Sequence, residues 1–122
     1  MPLLRIHALT KTVASGDAPL TILDAVTFAV ERGDTMAIVG AGAVGCEFAD
    51  VFNAFGTQVA LIDVAPTILP LEDGDCSAEL AKAFRKRKID VIAGAKISNV
   101  KIGKTSVSMS MDVAGKAQTR EV

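Results

Sequence analysis

Tryptophan and tyrosine are absent from these 122 residues, and histidine occurs once, at His7. With five phenylalanines as the only aromatics, the chain has little from which to build a base-stacking platform, so no nucleic acid is expected as a partner. One histidine leaves almost no material for a histidine-based metal centre or acid–base pair. No metal is expected. Cys46 and Cys76 form neither a CxxC pair nor a metal-binding spacing, and both read as buried helix cysteines in a reduced setting. No apolar run approaches the ~20 residues that span a bilayer. Arg5, His7, Lys11 and Asp17 interrupt the first twenty positions, which excludes a secretory leader. The net charge of −1 favours neither a polyanion nor an anionic membrane. These absences describe a soluble, cytoplasmic, recombinant protein with no membrane partner.

What is present suits one globular domain over residues 1–122, with 50% hydrophobic and 22% charged residues. Leu3–Val13 and Leu20–Val30 are apolar and β-branched, and the turn formers at 14–19 join them as a hairpin with a longish loop. Thr35–Val39 is a short apolar run of the kind buried in a parallel sheet. After it, Val44, Phe48, Val51, Phe52 and Phe55 recur at helical spacing and predict one inward apolar face, ended by Gly56. Gln58–Asp63 and Ile89–Ala93 read as further buried strands. Between them Asp73 or Asp75 caps a helix to about Lys88, with Leu80 and Phe84 inward. Its basic end, Arg85–Lys88, reads as a solvated helix terminus. Lys96–Ile102, Thr105–Val113 and Lys116–Val122 predict a meander, with Ser106, Ser108 and Ser110 alternating against Val107, Met109 and Met111.

The fold class is therefore α/β: a half-Rossmann, three-stranded parallel sheet in the order 3-2-1 (89–93, 57–63, 35–39) with two helices. The N-terminal hairpin and C-terminal meander add an antiparallel β layer. The strand 35–39 is left with an open, apolar edge, and that edge predicts a homodimer or higher oligomer.

One motif carries chemistry. Gly40-Ala41-Gly42-Ala43-Val44-Gly45 follows a buried strand and opens an amphipathic helix, and the next strand ends in a carboxylate, Asp63. Gly40 permits the tight turn, Gly42 lets backbone approach a pyrophosphate, and Gly45 lets the helix pack close to the sheet. The N–H groups at the helix start favour phosphate by about 0.3–1 kcal/mol when exposed. Asp63 is placed to accept the ribose hydroxyls. Val64, Ala65 and Pro66 offer no arginine for a 2′-phosphate, so NAD is expected over NADP.

Two resemblances follow from these residues. The run IVGAGAVGCEFADVFNAFGTQVALIDVAPTILPLEDGDCSAELAKAFRKRKIDVIAGAKISNV resembles the central NAD-binding domain of dihydrolipoamide dehydrogenase, from Ile38 to Val122. It implies Gly40, Gly42, Ala43, Val44 and Gly45 at the pyrophosphate, Asp63 at the ribose and Glu47 near the nicotinamide end. It also implies a flavin, a redox disulfide and a His-Glu pair in other domains, and a fourth parallel strand beyond residue 122. Residues Leu3–Gly40 resemble the opening of an ABC-transporter ATPase of the lipoprotein-export type, LLRIHALTKTVASGDAPLTILDAVTFAVERGDTMAIVG. The P-loop that should follow is lost, because a GxxxxGK[ST] loop needs lysine and a hydroxyl where Cys46 and Glu47 stand.

Because both resemblances meet at Val39-Gly40, the chain reads as an engineered chimera, a natural fusion being the alternative. The expected function is no catalysis, not an enzyme, with weak NAD or adenine-nucleotide binding at the glycine loop and no FAD. The alternatives are a purely structural protein without ligand, or a fragment of a flavin-dependent disulfide oxidoreductase.

Overall fold

The computed structural model describes residues 1–122, and its internal contacts divide them into two units, Met1–Arg32 and Gly33–Val122. The first unit is a two-stranded antiparallel sheet, β1 (Leu4–Ser15) and β2 (Ala18–Val30). Its connection is shorter than the loop predicted over 14–19. Gly16 takes φ +59°, so Gly16-Asp17 alone reverses the chain and Ser15 pairs with Ala18. Further along, the register shifts near Leu9. There Thr27 Oγ1 accepts the Ala8 N–H at 2.9 Å and Thr10 Oγ1 accepts the Ala25 N–H at 3.0 Å, in place of ladder bonds.

The second unit runs β3 (Thr35–Val39), α1 (Ala43–Ala54), β4 (Gln58–Ile62), α2 (Gly74–Lys86) and β5 (Asp90–Ile92), then β6 (Ala95–Ile102), β7 (Val107–Val113) and β8 (Lys116–Glu121). The parallel sheet has the order β3-β4-β5, which bears out the predicted topology. β4 is its middle strand, and Val59, Ala60, Leu61 and Ile62 are all buried. Side chains alternate across a strand, so one β4 set, Ala60 and Ile62, meets Met109 and Met111 of the meander. The opposite set, Val59 and Leu61, lies on the helix face of the sheet.

The antiparallel material forms two separate sheets, β1-β2 and β6-β7-β8, rather than one layer. In the meander Met109 and Met111 are buried as predicted, while Ser106, Ser108 and Ser110 are half-buried rather than fully outward. α2 ends earlier than predicted, at Lys86, because Lys88 turns to φ +65°. Asp73 is its N-cap residue but makes no side-chain capping bond. Phe84 is buried and Leu80 only half-buried.

The inward face predicted for α1 holds at Phe52 and is corrected at the other four positions. Its buried residues are Cys46, Ala49 and Phe52, whereas Val44, Phe48, Val51 and Phe55 are exposed. Near Gly45, where the helix approaches the strand end closely, the buried positions are small, Cys46 and Ala49, and Phe52 is the one large residue buried further along. Of the two cysteines, Cys46 is buried as expected but Cys76 is exposed in the first turn of α2.

Candidate dinucleotide site

The site begins where β3 ends. Gly40 adopts φ +108°, a conformation that glycine takes without the strain a Cβ would bring, and its N–H donates to the Ile62 carbonyl at 2.8 Å. The chain thus leaves β3 while still tied to β4. Ala41 is fully buried and held on both sides. Its N–H donates to Asp63 Oδ2 at 2.5 Å, and its carbonyl accepts the Leu69 N–H at 2.7 Å. Cys46 Sγ donates to the same carbonyl at 3.5 Å. Burial, and secondarily the Asp63 charge, push the Cys46 thiol above the ordinary value of 9.0.

Gly42 is the N-cap of α1, and no side chain caps it. A Cβ built on Gly42 would stand in open space, so this backbone is bare toward solvent where a phosphate would come. A Cβ on Gly45 would lie 1.8 Å from the Gly40 carbonyl oxygen. Only glycine permits that helix to start so close to the strand end. The first N–H groups of any α-helix lack intrahelical partners, and α1 has no acidic residue in its first turn to compete for them. A dinucleotide's diphosphate fits this cradle by charge and by space.

Asp63 follows β4 and is half-buried. Its second oxygen, Oδ1, accepts the Ala65 N–H at 2.7 Å. A carboxylate has about four lone-pair sites, so two remain for ribose hydroxyls. A recess beside it is lined by Val39, Gly40, Ile62, Asp63, Val64, Ala95, Lys96 and Ile97. A second recess, lined by Ile38, Val39, Gly40, Gly42, Ala43, Val44, Gly45 and Phe48, opens on the other side of the loop. Both lie at the carboxyl ends of the parallel strands, where open α/β sheets hold ligands.

The structure therefore brings Gly40, Gly42, Ala43, Val44, Gly45 and Asp63 together. Glu47 is set apart from them. It lines the cleft between α1 and α2 with Cys46, Asp50, Leu80, Ala83, Phe84 and Arg87. Sequence reasoning missed Lys96, which enters the Asp63 recess because Gly94, at φ +70°, turns the chain just past β5. The signal was its place directly after a parallel strand.

A glycine loop between a parallel strand and a helix, answered by a carboxylate at the end of the next strand, defines a Rossmann-type dinucleotide-binding unit. Residues 35–114 match the family model for pyridine nucleotide-disulphide oxidoreductases. The chain belongs to that family.

Among its relatives, the dihydrolipoyl dehydrogenase of Zymomonas mobilis is 43% identical over 63 residues, 52% of this chain and 14% of that protein. That of Mycobacterium leprae is 33% identical over 88 residues, 72% of this chain and 19% of that protein. The HOCl-induced flavoprotein disulfide reductase RclA from Escherichia coli superposes with TM-score 0.61 at 27% identity, over 73% of this chain and 20% of that one. The NADH-bound water-forming NADH oxidase from Lactobacillus brevis, at 21% identity and TM-score 0.62 over 72% of this chain and 19% of its own, shares the fold. The chain thus spans at most about a fifth of the length of these relatives.

These findings correct the expected function. The family match begins at Thr35, ahead of the Val39-Gly40 seam where a splice was expected. The chain is not read as a chimera, nor as a protein built without a function. Neither the family match nor these relatives support an ABC-ATPase leader. What they support is the alternative, part of an oxidoreductase. Pyridine nucleotide is the family's cofactor. The expectation of a protein unconnected with FAD also sits poorly with neighbours that are flavoproteins.

No helix is long and apolar enough to cross a membrane.

Proposed function

We propose that residues 33–122 form the pyridine-nucleotide-binding part of an oxidoreductase similar to dihydrolipoyl dehydrogenase. The bare N-terminus of α1 takes the diphosphate, and Asp63 takes the adenosine ribose. The observation that carries this reading is the paired geometry at the loop. Gly45 tolerates no Cβ, Gly42 opens to solvent, and Asp63 is bonded to the loop it serves. NAD is the nucleotide favoured, because a carboxylate at the ribose repels a 2′-phosphate and residues 64–66 bring no positive charge.

The electron-transfer chemistry belongs to the larger oxidoreductase, in which resemblance places a flavin and a redox disulfide in other domains. Within this chain Cys46 and Cys76 sit on different helices as free thiols and supply no such disulfide. The role of these residues is to hold and orient the nucleotide.

With only this part of the site present, affinity is expected to be millimolar, about −4 kcal/mol. ADP should bind nearly as well as NAD, because the contacts lie on the adenosine side. Titration followed by NADH fluorescence, with ADP competition, tests this. Gly42→Val should abolish binding by closing the backbone approach. Binding that ignores Gly42→Val would place the nucleotide elsewhere.

A further inference from the structure

One peptide group in the connector between β4 and α2 is held at both ends. The Ile68 carbonyl accepts the Ser77 hydroxyl of α2 at 2.6 Å. The Leu69 N–H, at the other end of the same peptide, donates to the Ala41 carbonyl of the glycine loop at 2.7 Å. A trans peptide is rigid and its C=O and N–H point opposite ways, so Ser77 and Ala41 hold this plane from opposite sides. Ala41, Ile68 and Ser77 are sealed from solvent, at 0%, 2% and 3% exposure.

The backbone here depends on that hold. Leu69 adopts φ +48°, a left-handed conformation uncommon for a side chain of its size. Pro70 follows it and disfavours the right-handed helical alternative. A residue in that region persists only where its surroundings fix it. Besides Ser77 and Ala41, the Leu69 carbonyl contributes by accepting the Glu72 N–H at 3.0 Å.

The arrangement repeats one step nearer the site. Ala41 and Gly42 share a peptide group. Its carbonyl is drawn inward by the Leu69 N–H, with the weaker Cys46 thiol at 3.5 Å beside it. Its N–H, that of Gly42, points the opposite way at an exposed residue and donates to no group of the protein. Two peptide planes thus stand in series between a buried hydroxyl on α2 and a free donor at the start of α1. Hydrogen bonds in such a chain polarise one another.

We propose that Ser77 is a positioning residue for nucleotide binding. The role rests on the reading that the N-terminus of α1 takes the diphosphate. Through the two peptides Ser77 aims and polarises the Gly42 N–H toward a phosphate oxygen, without touching the nucleotide. When the hydroxyl is removed, the Ile68 carbonyl is left buried and unpaired and the 68–69 plane is free to turn. The Ala41 carbonyl then keeps only the thiol, and the Gly42 N–H loses its aim.

Nuclear magnetic resonance titration with ADP tests this. In the wild-type chain ADP should move the Leu69 amide proton downfield together with that of Gly42, although the Leu69 N–H is turned to Ala41. Ser77→Ala should raise the ADP dissociation constant about fivefold, the lower end of couplings between separated sites. It should also move the Gly42 amide resonance before any ligand is added. Ala83→Gly loosens the same helix at an exposed position but keeps the hydroxyl, and should change neither quantity. The Leu69 shift needs no variant, so the test stands even if Ser77→Ala fails to fold. ADP that moves Gly42 but not Leu69, or a folded Ser77→Ala with wild-type affinity, would overturn the role of Ser77 and leave the nucleotide site standing. An equal loss of affinity in Ala83→Gly would assign the effect to the helix and overturn it too. No ADP-dependent shift at Gly42 would overturn the site itself, and the role of Ser77 with it.

Discussion

Asp63 accepts the Ala41 N–H at 2.5 Å through one oxygen and the Ala65 N–H at 2.7 Å through the other, so a single carboxylate ties the glycine loop to the segment after β4. The residue read from sequence as a ligand contact is also a brace for the loop that binds the ligand. Asp63→Ala leaves two backbone donors without their acceptor. It should lower unfolding stability by about 1–3 kcal/mol and weaken nucleotide binding beyond the loss of the ribose contact. Asp63→Asn keeps one acceptor oxygen but turns an amide N–H toward the other donor. A purely ligand-facing Asp63 would leave the urea midpoint of both variants unchanged.

Gly45→Ala puts a methyl against the Gly40 carbonyl oxygen, with a built separation of 1.8 Å. Either the helix or the turn must shift, and overpacking of this kind costs about 1–3 kcal/mol or more. Gly42→Ala meets nothing within 4 Å and should fold normally. Thermal unfolding of the two variants should separate a glycine needed for packing from one needed for access.

Thiol chemistry distinguishes the cysteines. Cys76 is exposed and should react with a maleimide in the folded protein at neutral pH, giving one label per chain. Cys46 should label only on unfolding, because it is buried and little of it is thiolate. Its folded pKa is raised, so its contribution to stability is fully present below the ordinary value of 9.0 and is lost as pH rises through the folded value. Cys46→Ala should flatten that alkaline decline. Two rapid labels per folded chain would contradict the assignment.

Within the sheet, Leu61 is fully buried on the middle strand. Leu61→Ala should cost about 2–5 kcal/mol. Arg87→Ala, by contrast, breaks an ion pair whose side chains are 43% and 51% exposed, and should cost less than about 1 kcal/mol. Chemical denaturation that ranked the two in reverse order would mean that the helices, not β4, hold the unit together.

The glycine loop and the parallel strands were legible because they rest on local requirements. A buried run, a turn that only glycine makes and a carboxylate at the next strand end are each written at fixed spacing. The orientation of α1 was not legible. Its large residues formed a tidy stripe at helical period, and periodicity alone cannot tell the side packed on a sheet from the side left for something else. Cys46 and Ala49 lie against the sheet where Gly45 brings the helix close to the strand end, and of the large residues only Phe52 is buried with them. Lys96 escaped notice for a similar reason. It lines the recess beside Asp63 because the chain after β5 turns back past the end of β4, a placement set by strand order rather than by sequence distance. The tight turn at Gly16-Asp17 was hidden among neighbours that are all turn formers.

The Gly40 bond to Ile62 and the Ala41 bond to Asp63 both join the loop to β4 or its end, so the cradle exists only while β3 and β4 are paired. The unfolded chain has no partial version of it to offer. A nucleotide that binds there binds the native state alone, and mass action then makes it a folding ligand. At ten times its dissociation constant it should stabilise the protein by about 1.4 kcal/mol. Even a millimolar ligand, invisible to most binding assays, should raise the melting temperature in proportion to the logarithm of its concentration.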